Sequence, residues 1–213
     1  MWCPYPIQAR AEARRTELLY RIEEIRLVLE RLWNEGVLVR EPYKRFLGSE
    51  SRPLNPPLTE EQIVEFESAN GIELPEDYRL FLSIAGDGGA GPHRGLVPLS
   101  WRNPEPANSI NLAEVRCSTE SVLWSWCHLV CTGKHKGNLI YIGDTAPQAG
   151  YFGDTATEYT LVRPDSPWQP LDFIGWYEGW LRLVESGGDT SNYGFPRDLD
   201  DLVPACIIYQ CIG

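Results

Sequence analysis

The sequence predicts an α+β fold: a mixed, mainly antiparallel β-sheet packed with two short helices that precede it and one that follows it, with an amphipathic helix ahead of them all. Three observations carry this reading. Capped helix signals run from Thr59 to Gly86, short β-prone segments separated by turn residues follow Gly91, and an aromatic stripe at helical spacing runs from Asp172 to Glu185. Helices, then strands, then a closing helix is the order expected of α+β architecture.

The first element is an amphipathic helix from Arg14 to Trp33. Leu18, Ile22, Ile25, Leu29 and Leu32 recur at spacings of four, three, four and three, and Leu19, Val28 and Trp33 widen the stripe. Glu17 with Arg21, and Arg26 with Glu30, are four residues apart on the polar side, where each pair adds a few tenths of a kcal/mol. Gly36 ends the helix. Its stripe must be covered, either by the rest of the chain or by a second copy, and the expectation is docking on its own chain. Ser51-Arg52-Pro53-Leu54-Asn55-Pro56-Pro57 is too rich in proline to be regular and marks a boundary. Residues 1–50 then form a helical extension, and 51–213 the main domain with a C-terminal tail.

Each end of the next two helices has a physical cause. Thr59 caps the first, and Gln62 three residues on returns the bond, which makes a capping box; Leu58 and Ile63 form a hydrophobic staple. Ile63, Phe66 and Asn70 share a face, and Gly71 stands where a left-handed residue stops the helix. Pro75 suits the start of the second helix, and Glu76 and Asp77 suit the positive end of its dipole. Tyr78, Phe81, Leu82 and Ala85 form its buried face, and Gly86 ends it.

Downstream, strands are expected at Gly95–Leu99, Val122–Cys131, Leu139–Ile142, Gly150–Phe152 and Tyr159–Val162, with a surface excursion from Trp101 to Asn111 around Pro104 and Pro106. The closing helix has Asp172 as its cap and Phe173, Trp176, Trp180 and Val184 on one face, with Tyr177 and Leu181 beside it. Aromatic residues at that spacing are core. The tail holds Asp198, Asp200 and Asp201 and ends in Cys206-Ile207-Ile208-Tyr209, which could add an edge strand.

Composition excludes several classes. The 213 residues lack any apolar run long enough to span a bilayer, and the start Met1-Trp2-Cys3-Pro4 lacks the regions of a secretory leader. A soluble, cytoplasmic protein is expected. The six cysteines, at 3, 117, 127, 131, 206 and 211, are too sparse for a disulfide framework and read as reduced thiols. Cys127, Cys131 and His135 suggest a metal, but residues four apart on a strand stand about 13 Å from each other. Bonds to one zinc are about 2.3 Å, so no metal and no cofactor are expected. Charge is uneven: residues 1–50 carry nine Lys+Arg and eight Asp+Glu, whereas 51–213 carry ten and twenty-two. The acidic part would repel nucleic acid and anionic membrane and could steer a basic protein toward itself.

No constellation carries catalysis. Gly86-Asp87-Gly88-Gly89-Ala90-Gly91 has the spacing of a dinucleotide loop, but a helix precedes it and Pro92 follows, so it reads as a cap and turn. Gly143-Asp144 and Gly153-Asp154 repeat ten residues apart and could pair two acids, although strands joined in a hairpin would set them at opposite ends. His93, His128 and His135 lack a nucleophile motif around them. The residues therefore read as a binding protein, not an enzyme.

The block Gly71-Ile72-x-Leu74-Pro75-x-x-Tyr78-x-x-Phe81-Leu82 with its glycine-rich loop resembles the SUKH superfamily, the Smi/Knr-like proteins. The resemblance continues through Asn138–Asp144 and Phe173–Leu181 and spans residues 54–186. It implies a non-catalytic protein-binding module of the bacterial immunity type, which neutralises a cognate polymorphic toxin, nuclease-like or deaminase-like; the acidic charge of residues 51–213 adds the expectation that it does so by occluding the toxin's basic active surface. Candidate contacts are Glu60, Glu61, Glu73, Glu76, Asp77, Asp87, Asp144 and Asp154, with Trp168 as an aromatic anchor in a Pro-flanked loop. An alternative is a regulatory scaffold like the fungal cell-wall regulators, docking through the Arg14–Trp33 helix. A third reading is an enzyme using Asp144 and Asp154.

Overall fold

A computed structural model describes residues 7–39, 46–47, 52–92, 95–101, 109–115, 125–133, 136–144, 156–160, 162–163, 166–170, 172–190 and 193. Helices dominate its regular structure: α1 (Ile7–Asn34), α2 (Glu60–Asn70), α3 (Glu76–Ile84) and α4 (Phe173–Glu185). Among the described residues, six strands of two to seven residues lie between α3 and α4: β1 (Ser109–Val115), β2 (Ser125–Val130), β3 (Leu139–Asp144), β4 (Ala156–Thr160), β5 (Val162–Arg163) and β6 (Ser166–Pro170). The first four form one sheet in the order β1-β2-β3-β4, with every neighbour antiparallel, and β5 pairs with β6.

Helix α1 covers its own apolar stripe by packing against α3 and α4. Leu18, Ile22, Ile25, Leu29 and Leu32 are buried in the same core as the downstream helices, so the stripe is met within the chain. Leu19 is 38% exposed and does not widen that stripe. Arg21 is also not paired with Glu17 along the helix: its Nε and Nη2 donate to Glu178 of α4 at 2.7 and 2.8 Å. A half-buried bidentate partner outcompetes a solvated one. Arg26 does bind Glu30, at 2.6 Å, and Glu23 as well.

Helix α2 starts and stops for the local reasons given above. Thr59 Oγ1 accepts the Gln62 N–H, Gln62 Oε1 accepts the Thr59 N–H at 2.9 Å, and Gly71 closes the helix at φ 62°. Arg79 of α3 reaches back to Glu60 and Glu67 of α2, and Glu67 also accepts the Leu74 N–H at 2.8 Å, which fixes the corner between the helices.

The proline-rich segment and the glycine-rich loop stitch to each other. Leu54 and Gly89 form an antiparallel bridge, Gly89 bridges on to Leu96, and the Ala90 N–H donates to Pro53 O at 2.7 Å. Gly89 has φ 115°, and a Cβ there would lie 2.6 Å from the Pro53 carbonyl oxygen, so only glycine fits between the two neighbours. The expected strand over Gly95–Leu99 is reduced to the Leu96 bridge and a 3₁₀ turn at Leu99–Trp101. Strand β1 lies partly where a surface excursion was expected, because its alternation is broken by a bulge between Asn111 and Ala113. The bulged Leu112 is fully buried and its carbonyl accepts the Val97 N–H at 3.0 Å, tying the glycine loop to the sheet. Of the Val122–Cys131 segment, Ser125–Val130 is strand. The Gly150–Phe152 segment, the C-terminal run Cys206–Tyr209 and Asp198, Asp200 and Asp201 lie outside the described residues.

The core centres on aromatic rings from α3 and α4. Phe81 meets Phe173 edge-on at 5.0 Å and Tyr177 at 5.0 Å, Tyr78 meets Phe173 at 4.7 Å, and Tyr177 meets Trp180 at 5.3 Å. Such pairs add about 0.5–1.5 kcal/mol each beyond burial alone. The Tyr177 hydroxyl donates to Ala90 O at 2.5 Å, so the closing helix also clasps the glycine loop.

Candidate functional site

The candidate acids separate into three groups by environment. Glu60, Glu61, Glu73 and Glu76 are exposed, at the starts of α2 and α3 and in the turn between them. Three of these are neutralised within the chain. Glu60 meets Arg79, Glu73 accepts from Lys136 Nζ at 2.7 Å, and Glu76 accepts from Arg15 Nη1 at 3.1 Å. Lys136 holds the Glu73 carboxyl below the usual range. Glu61 is likewise held low, by its own backbone N–H at the helix start and by the Thr59 side chain.

Asp77 and Asp87 form the second group, and both are buried, although Asp87 is among the residues that line a surface hollow. Asp77 is 7% exposed; its Oδ1 accepts the Tyr78 N–H at 2.9 Å and its Oδ2 accepts the Phe173 N–H at 3.1 Å, joining the first turn of α3 to the first turn of α4. Burial, with the Asp172 carboxylate alongside, pushes Asp77 up to about 6 against the pull of backbone N–H groups from Tyr78, Ile174 and Phe173. Asp87 is 4% exposed, and its Oδ1 accepts the Leu99 N–H at 2.6 Å. Both are structural acceptors for backbone donors that the fold would otherwise strand.

In the third group, Asp144 ends β3 and Trp168 lies within β6, so Trp168 is on a strand and not in a loop. Asp154 lies outside the described residues. Strand β3 pairs with Ala156–Thr160, Asp144 standing opposite Ala156.

The remaining sequence candidates also resolve. The glycine-rich loop is buried from Gly86 to Gly91 and stitched to the Pro53–Asn55 backbone, leaving no room for a phosphate. Cys131 is buried and its thiol donates to the Leu129 carbonyl at 3.4 Å, Cys127 lies on β2, and His135 is outside the described residues. Among the described residues, no helix is long and apolar enough to cross a membrane.

Two surface concavities flank the proline-rich segment and share Asn55, Pro56 and Pro57. One, of about 520 Å³, runs between Trp33 of α1 and Ile84 of α3. The other, of about 310 Å³, lies between Gln62 of α2, Phe46 and Trp101. Trp101 is 56% exposed, and its ring lies 6.2 Å from that of the buried Phe46. Sequence reasoning passed over Trp101 because it heads a proline-containing stretch with no periodicity. The available signal was a tryptophan in just such a stretch, where no core position asks for one.

The family model described as the SMI1 / KNR4 family (SUKH-1) matches residues 57–166. No curated protein and no solved structure matches the chain.

Proposed function

The chain belongs to the SMI1 / KNR4 family (SUKH-1), and from that premise we propose a non-catalytic protein-binding module that acts in the cytoplasm as an immunity protein. Its partner is a cognate bacterial toxin of nuclease or deaminase type, whose basic active surface it occludes. The observation that carries this reading is the charge distribution: residues 51–213 hold ten Lys+Arg against twenty-two Asp+Glu. A surface that must grip nucleic acid is basic, and an acidic module complements it while repelling the substrate. Glu60, Glu61, Glu73, Glu76, Asp144 and Asp154 remain the proposed acidic contacts, with Trp168 as an anchor.

The scaffold alternative assigns docking to the Arg14–Trp33 helix. That helix commits its apolar stripe to α3 and α4, which disfavours it as a free docking element.

Co-expression tests the proposal. Cells carrying the C-terminal domain of the toxin encoded beside this gene should survive when the chain is present, and the purified pair should form a complex. Continued killing, with no complex formed, would reject it.

A further inference from the structure

The concavity beside Trp101 is the described surface where an exposed large aromatic ring meets a preformed hollow. Phe46, Pro56, Pro57, Gln62, Pro98 and Trp101 are among its lining residues. Phe46 is 3% exposed, whereas Trp101, Pro56 and Pro57 are open to solvent. Proline rings have little conformational freedom to lose when a partner side chain enters. Gln62 is the α2 residue that lines it, and the buried Asp87 lines it too; Glu61 and Glu65, beside Gln62 in sequence and one turn on, are exposed on α2.

Resting on the protein-binding reading above, we propose that this hollow seats an arginine side chain of a basic polypeptide partner, with the guanidinium stacked on the Trp101 indole and the acidic start of α2 alongside. Charge complementarity selects the occupant. The domain carrying the hollow is strongly acidic, and an exposed tryptophan face attracts a cation through its ring quadrupole. A guanidinium is favoured over an ammonium because it is planar, stacks on aromatic rings and sheds water more readily. Tryptophan and arginine are also the residues most enriched at interface hot spots.

Binding of deca-arginine and deca-lysine peptides to the intact chain, measured by calorimetry at moderate salt, tests the assignment. The expected result is about tenfold tighter binding of deca-arginine, equivalent to about 1.4 kcal/mol. Trp101→Ala should abolish that preference while leaving deca-lysine affinity unchanged, and Trp101→Phe should restore part of it. Because Trp101 is more than half exposed, the variants should keep the wild-type circular dichroism. Equal affinity for the two peptides, or a preference that survives Trp101→Ala, overturns the assignment. A cognate toxin bound equally well by Trp101→Ala overturns the hollow and leaves the protein-binding reading standing. Absence of any toxin complex defeats that reading while the peptide result still judges the hollow.

Discussion

Asp77 Oδ2 accepts the backbone N–H of Phe173 at 3.1 Å, a contact between residues 96 apart in sequence. It makes the first turns of α3 and α4 one unit, because Asp172, the N-cap of α4, accepts the Gly175 N–H at 2.8 Å beside it. Two carboxyl groups thus serve one helix start. Asp77→Ala strands a buried donor and should lower stability by about 1–3 kcal/mol in urea unfolding. Asp77→Asn keeps an acceptor oxygen and should cost clearly less. Equal losses from the two would show that the Phe173 bond is not what Asp77 contributes.

The same residue makes stability depend on pH. Its folded pKa of about 6 lies above the ordinary 3.8, so the native state holds the extra proton between those values. Stability from this group is therefore present in acid, falls as pH rises from about 4 to 6, and is gone above that window, an effect on the order of 3 kcal/mol. The difference in urea midpoint between wild type and Asp77→Asn should change across that window. A constant difference from pH 4 to 7 would contradict it.

Arg21 and Glu178 should be energetically coupled where Arg15 and Glu76 are not. The first pair is bidentate with side chains 22% and 23% exposed; the second is a single contact with side chains 56% and 48% exposed. Double-mutant cycles should give about 1–2 kcal/mol for Arg21–Glu178 and under about 0.5 kcal/mol for Arg15–Glu76. A reversed order would mean that α1 is not held by its bridge to α4.

Gly89 and Gly71 both have positive φ but differ in surroundings. A Cβ at Gly71 meets nothing within 4 Å, whereas one at Gly89 lies 2.6 Å from Pro53 O and 2.8 Å from Leu47 Cδ2. Gly71→Ala should cost about 1–2 kcal/mol for backbone strain alone. Gly89→Ala should cost more, since it must also break the bridge to the proline-rich segment. Thermal unfolding of the two variants compares them directly.

The local features of this chain were legible in its sequence, and the distant ones were not. Thr59, Gln62 and Gly71 set the ends of α2 through partners within a few residues, and the stripe from Leu18 to Leu32 needed only helical spacing. The partner of Arg21 is 157 residues away, so sequence reasoning gave it the nearer Glu17. Asp77 and Asp87 were read as surface acids because Asp at helix starts and glycine turns normally is solvated; here backbone donors from Phe173 and Leu99 draw them inward. Strand β1 was hidden by the bulge at Leu112, and β6 by Pro167 and Pro170, which argue against a strand until an antiparallel partner is in place.

Titration of the purified chain into the toxin domain encoded beside its gene, with the toxin's own activity followed at several ionic strengths, tests the central claim most directly. The account predicts loss of toxin activity at stoichiometric addition and an association rate that falls steeply as salt rises. Undiminished toxin activity at saturating chain would contradict it.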